Sequence, residues 1–181
     1  MTHKDAPTPA WYVISGGPSS GKSTTIALLA GRGFHVTTEK ARQILDEEMA
    51  KGRSADDIRG DGEWFQELIL ERELAMDAQL DPGATIFLDR GIPDGFAYER
   101  YLRLTPNPAL AEAARVQRYR RVFVLDPLHL HDDGSRIEDE QAQQDIHDAI
   151  VATYSELGFD LVQVPVLPIE QRVEFILTRI D

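Results

Sequence analysis

The stretch that decides the fold is Ser15–Thr25, SGGPSSGKSTT. Gly16, Gly21, Lys22 and Ser23 satisfy the spacing GxxxxGK[ST], which average residue usage produces by chance in a chain this long roughly once in a hundred or fewer. An apolar run, WYVIS (11–15), leads into it, and a helical pattern from Lys22 to Ala30 leads out. Strand, loop and helix in that order aim backbone N–H groups and the positive end of a helix at a phosphate. Gly16, Gly17, Pro18, Ser19, Ser20, Gly21, Lys22, Ser23 and Thr24 are therefore the expected nucleotide-binding residues. The glycines let the backbone come close, Lys22 reaches the β- and γ-phosphates as a point charge, and the Ser23 hydroxyl takes one position on Mg²⁺. The expected ligand is a nucleoside triphosphate with Mg²⁺, ATP in the first instance, with GTP also compatible.

Working outward, further apolar runs occur at 34–38 (FHVTT), 85–89 (TIFLD), 121–126 (RVFVLD) and 161–164 (LVQV). Helical patterns separate them: Glu39 to Lys51, Asp61 to Leu80, and a last helix in which Pro168 occupies the first turn and Ile169, Val173, Ile176 and Ile180 recur at helical spacing. Alternating strands and helices predict an α/β fold with a parallel five-stranded sheet. The polar, glycine-bearing segment 51–63 reads as a mobile flap. Residues 1–10 read as a flexible lead-in, and 11–181 as one domain.

Composition narrows the partners. The chain has 181 residues, 31 acidic against 19 basic, for a net charge of −12. That sign disfavours a polyphosphate backbone as ligand, so no nucleic acid is expected. Cysteine is absent, which excludes disulfides, thiolate nucleophiles and cysteine-bearing zinc sites. No run approaches the ~20 apolar residues of a membrane span, and MTHKDAPTPA lacks the apolar core of a signal peptide. A cytoplasmic location away from membranes is expected, with monomer or homodimer both open.

A triphosphate site needs a second acid near the metal, and ATIFLDRG (84–91) offers Asp89 where a parallel strand ends at the ligand crevice. Asp89 would hold a water on Mg²⁺ or take a proton from an acceptor hydroxyl. Hydrolytic motors commonly follow this acid with a second one, but here Arg90 follows, and an arginine favours gripping an anionic group over activating water. Asn107 is the sole asparagine, so the guanine-reading NKxD signal is missing.

Residues 16–24, TTEKAR (37–42), FLDRGIPDGFAY (87–98), RRVFVLDPL (120–128), DDGSRIEDE (132–140) and GFDLVQVPVLPIEQRVEFIL (158–177) resemble, in order and spacing, the small AAA-type predicted ATPase/kinase family of P-loop proteins. That group is similar to nicotinamide riboside kinase domains and, more remotely, to thymidylate and deoxynucleoside kinases. The resemblance implies a three-layer, nucleotide-kinase-like sheet of order 2-3-1-4-5 with a lid segment. It implies that Asp89 and Arg90 form a DR pair, that Arg136 is a lid arginine, and that Glu39 faces the acceptor hydroxyl. The implied activity is phosphoryl transfer from ATP to a small acceptor of nucleoside or nucleotide kind. A nucleotide-dependent switch that binds a partner is the alternative.

The same residues carry their own chemistry. Lys22, Mg²⁺ at Ser23 and Asp89, Arg90 and Arg136 would spread the charge of a transferring phosphoryl group. Glu39 and Arg42 lie three apart at the start of a helix, on one face; they face the acceptor or serve helix-start electrostatics. Asp94 and Tyr98, four apart after RGIP, are candidate acceptor-binding residues together with Arg90. HDDGSRIEDE is either a lid or a solvated charged loop. His129, His131, Asp132 and Asp133 match no strong metal-ligand spacing. Trp64 and Phe65 belong to a core-facing helix, and Arg118, Arg120 and Arg121 read as solvated at the strand end opposite the crevice.

Overall fold

The computed structural model describes residues 8–128 and 140–180. Five strands, β1 (Trp11–Ser15), β2 (His35–Val36), β3 (Ile86–Asp89), β4 (Arg121–Leu125) and β5 (Leu161–Val164), form one sheet in the order 2-3-1-4-5. Every pairing is parallel. The connections carry helices α1 (Lys22–Gly31), α2 (Lys40–Ala50), α3 (Ala55–Gly60), α4 (Gly62–Asp77), α5 (Ile92–Tyr101), α6 (Pro108–Val116) and α7 (Glu140–Glu156), and α8 (Ile169–Leu177) follows β5.

A parallel sheet buries both faces, so its central strands read as unbroken apolar runs rather than alternating ones. Tyr12, Ile14, Phe87, Phe123 and Leu125 point to one face and pack against Ile26 and Leu29 of α1 and Val173 and Ile176 of α8. Val13, Ile86, Leu88, Val122 and Val124 point to the other, against Ala97 of α5 and Ile146, Ile150 and Tyr154 of α7. The strands sit between two helical layers. Tyr12 packs against Phe87 and Phe123 across the sheet in tilted pairs, 5.6 and 6.3 Å between ring centres, and each side chain is fully buried. Truncating one such phenyl costs about 3–5 kcal/mol.

The expected boundaries shift by a few residues. The second strand keeps only His35 and Val36, although the Thr37 amide still donates to the Phe87 carbonyl at 2.9 Å. Pro168 caps α8 rather than entering it, and Ile180 packs on the core beyond the end of that helix. The segment 51–63 contains α3, which the composition did not announce. Its N-cap Ser54 accepts from the Asp57 amide at 3.1 Å, and Ile58 is fully buried with Ile44, Phe65 and Ile69. Trp64 packs at the edge of this cluster under the Arg53 guanidinium, 4.4 Å from the ring centre. Arg121 is ion-paired to Asp160 at 2.6 Å rather than free in solvent. Among the described residues no helix is long and apolar enough to cross a membrane.

Candidate active site

The register sets the site. β1 and β3 pair with Ile14 beside Asp89, and the Arg90 amide donates to the Ile14 carbonyl at 3.1 Å. The loop that leaves β1 and the acid that ends β3 therefore emerge side by side at the carboxyl edge of the sheet, where open α/β sheets bind ligands.

The loop from Gly16 to Gly21 is held in one shape by its own atoms. Gly16 (φ 138°) and Gly21 (φ 82°) use backbone conformations that side chains disfavour, and Ser19 is left-handed at φ 54°. A Cβ on Gly16 would lie 2.7 Å from the Leu125 carbonyl oxygen. Lys22 Nζ donates to the carbonyls of Gly16 at 2.9 Å and Gly17 at 2.7 Å, and to Ser20 Oγ at 3.3 Å. Its ammonium thus braces the loop from inside. Burial first, and then the Arg90 charge, bring Lys22 down to about 7, against the pull of Glu39, Asp94 and Asp89. Ser23 and Thr24, in the first turn of α1, are exposed.

Asp89 is pushed up to about 6 by burial and by the Glu39 charge, with Arg90 and Lys22 opposing. Its amide donates to Thr37 Oγ1 at 3.1 Å, while Oδ1 is buried and has no hydrogen-bond partner. A buried carboxylate oxygen without a donor is costly unless a cation meets it. A carboxylate and a hydroxyl suit a hard cation that keeps several waters, so Asp89 and Ser23 fit Mg²⁺. Among the described residues no cluster of three or more His, Asp or Glu could hold a metal by itself.

Arg90 sits in the left-handed region at φ 70°, a conformation that costs about 1–3 kcal/mol and is kept where the surroundings enforce it. They do so through every nitrogen. Nε donates to Glu39 at 2.7 Å, Nη1 to Asp94 at 3.1 Å and the Gly16 carbonyl at 3.4 Å, and Nη2 to the Tyr98 hydroxyl at 3.4 Å. Burial opposes ionisation of Glu39, but the charge and hydrogen bond of Arg90 outweigh it and hold that carboxyl below its ordinary value. Glu39 is the N-cap of α2, with 27% of its side chain exposed.

Asp94 is 2% exposed, and both its oxygens are taken. Oδ1 accepts from Ser15 Oγ at 2.5 Å and from Arg90; Oδ2 accepts from the Gly91 amide at 3.0 Å and the Tyr154 hydroxyl at 2.6 Å. It locks α5 to β1 and α7 and fixes Arg90. Arg42 is 73% exposed and pairs with Asp46 at 3.2 Å, so the structure leaves it at the rim. Arg136, with His129, His131, Asp132 and Asp133, lies outside the described residues.

Several supporting residues carry no local signal. Gln143 Nε2 donates to the Pro18 carbonyl at 2.8 Å, and His147 packs beside Gly17. Arg172 of α8 reaches back to the carbonyls of Ser20 (3.4 Å) and Leu167 (3.2 Å), with its guanidinium against Gly21.

Solved structures share this fold at low identity. A NadR protein in complex with NR superposes with a TM-score of 0.70 at 15% identity, over 96% of this chain and 50% of that one. The present chain thus spans half the length of that relative. A thymidylate kinase from Ehrlichia chaffeensis gives 0.65 at 12% identity, covering 97% of this chain and 100% of its own. A deoxyadenosine kinase from M. mycoides, with products dCMP and dCDP bound, gives 0.62 at 14%, covering 93% and 97%. No curated protein matches the chain in sequence. Residues 11–172 match the family described as AAA domain, and the chain belongs to that family.

Proposed function

We propose that this chain is a phosphotransferase that moves the γ-phosphate of Mg-ATP to a small acceptor, a nucleoside or nucleotide-like molecule, in the cytoplasm. The observation that carries the reading is the convergence of the braced phosphate loop, the unpartnered oxygen of Asp89 and the Arg90–Glu39 pair on one sheet edge. An oxygen-ligating cation, a phosphate cradle and a second carboxylate are the parts phosphoryl transfer needs.

In this reading the backbone N–H groups of Gly17 and of residues 19–24 hold the triphosphate, and Lys22 turns from the carbonyls of Gly16 and Gly17 to the β- and γ-phosphates. Mg²⁺, held by Ser23 and Asp89, would supply positive charge to the phosphates. Glu39, ionised at neutral pH and anchored to Arg90, takes the proton of the acceptor hydroxyl. The acceptor oxygen then bonds to the γ-phosphorus as the bond to the β–γ bridging oxygen breaks, and ADP leaves. Asp94 and Tyr98 keep Arg90 in place. The test is a screen of nucleosides, mononucleotides and small alcohols with Mg-ATP. ADP release that rises sharply with one acceptor class supports transfer; release indifferent to every acceptor favours a nucleotide-dependent switch.

A further inference from the structure

We propose that Arg172 is a positioning residue of the phosphate loop: its guanidinium, set behind the peptide that joins Ser20 to Gly21, turns that peptide's N–H toward the triphosphate and has the triphosphate as its counter-ion. This rests on the triphosphate-binding half of the function proposed above and deepens it. A guanidinium stays charged when buried, and its burial is costly unless an anion compensates it. Arg172 is 5% exposed, and its partners are two neutral carbonyls, those of Ser20 at 3.4 Å and Leu167 at 3.2 Å. Burial pulls its pKa below the ordinary value, and among the described residues no acid pulls it back. Arg90 is the contrasting case, since Glu39 and Asp94 flank that guanidinium.

The compensating anion is placed one peptide away. A trans peptide points its C=O and its N–H in opposite directions, and the described peptides hold no cis bond. A guanidinium at the Ser20 carbonyl therefore leaves the Gly21 N–H directed away from Arg172, into the loop. At 3.4 Å the hydrogen bond is a long one, so the larger contribution is the field of the charge. A cation at the carbonyl end of a peptide dipole fixes its direction and makes the N–H end more positive. The backbone is shaped for this: Gly21 has φ 82°, and a Cβ there would run into Arg172 Nη1. Gln143, 4% exposed, backs the preceding peptide without charge, its Nε2 donating to the Pro18 carbonyl at 2.8 Å. When Lys22 leaves the carbonyls of Gly16 and Gly17 for the phosphates, these two side chains from α7 and α8 still hold the loop from outside.

Calorimetry on the full chain tests the charge, with Mg-ATP and with Mg-tripolyphosphate, which has neither base nor ribose. Arg172→Met is close in length and uncharged. It should bind both ligands about tenfold more weakly, by similar factors, because the charge acts on the phosphates. Arg172→Lys should recover most of that loss, since a field needs the charge and not the planar fork. Tripolyphosphate affinity within about twofold of wild type in Arg172→Met overturns the inference and leaves the phosphate loop standing. A lysine variant no better than the methionine variant also overturns it, because the loss would then come from packing. Wild type that binds neither ligand overturns the triphosphate reading and the inference together. Should Arg172→Met not fold, as circular dichroism would show, Arg172→Gln, which keeps an N–H donor and loses the charge, carries the same expectations.

Discussion

Glu73 offers a quantitative check on the electrostatics behind the site. It lies on α4, 6% exposed, with Oε2 unpartnered, and its buried neighbours Gln66 Oε1 and Asp77 Oδ2 also lack hydrogen-bond partners. Burial, and then the Asp94 and Asp77 charges, push it from an ordinary 4.5 up to about 8. Between those values the folded chain keeps a proton that the unfolded chain has released, so stability falls as pH rises through that window and the full penalty is present above pH 8. At about 1.4 kcal/mol per tenfold, the displacement sets a ceiling of about 5 kcal/mol; relaxation and water entry bring the expected value to about 1–3 kcal/mol. Glu73→Gln removes the charge, keeps the shape and places an N–H donor among the unpartnered acceptors. In urea unfolding the variant should match wild type within about 1 kcal/mol at pH 5 and exceed it by about 1–3 kcal/mol at pH 8.5, with m unchanged. A difference that is flat with pH, or that shrinks as pH rises, would refute the reasoning.

Three further outcomes follow from the same geometry. Free Lys22, at about 7, is mostly neutral at pH 8, and phosphate contact restores its charge, so triphosphate binding there should take up about one proton, read by calorimetry in buffers of different ionisation heat; no uptake would show that Lys22 stays clear of the phosphates. Asp94→Ala strips Arg90, Ser15, Gly91 and Tyr154 of a shared acceptor and should cost about 3–5 kcal/mol in denaturant unfolding, whereas Glu47→Ala, which loses the exposed pair with Arg72, should cost under about 1 kcal/mol. Gly16→Ala meets the Leu125 carbonyl oxygen at 2.7 Å in a backbone conformation unsuited to alanine, so it should abolish nucleotide binding measured by fluorescence of a labelled ATP analogue.

The sequence made the sheet legible because its central strands are short apolar runs buried on both faces, and because a glycine-rich turn between Ser15 and Lys22 has few other uses. Asp89 was legible for the same reason: a carboxylate closing an apolar strand must leave the sheet at its carboxyl edge. Two missed helices did carry local signals. Ser54 followed three residues later by Asp57 caps α3, and Asn107 before Pro108 caps α6, accepting from the amides of Ala109 and Leu110 at 2.9 and 3.3 Å. The contacts that brace the loop had none. Gln143 reaches Pro18 across 125 positions and Arg172 reaches Ser20 across 152, so only the packing of α7 and α8 against opposite faces of the sheet brings them there. Asp94 reads from the sequence as a candidate acceptor-binding residue; its burial depends on Ser15 and Tyr154, which no local pattern links to it.

Thermal unfolding with and without Mg-ATP, on wild type, Lys22→Ala and Asp89→Asn, reads out whether the loop around Lys22 holds the triphosphate. Saturating ligand at about a hundred times Kd stabilises a protein by about 2.7 kcal/mol, a shift of several degrees in Tm for a chain of this size. Wild type should show that shift, Asp89→Asn much of it together with lost turnover, and Lys22→Ala none. An undiminished shift in Lys22→Ala would contradict that placement, because the triphosphate would then rest on some other part of the molecule.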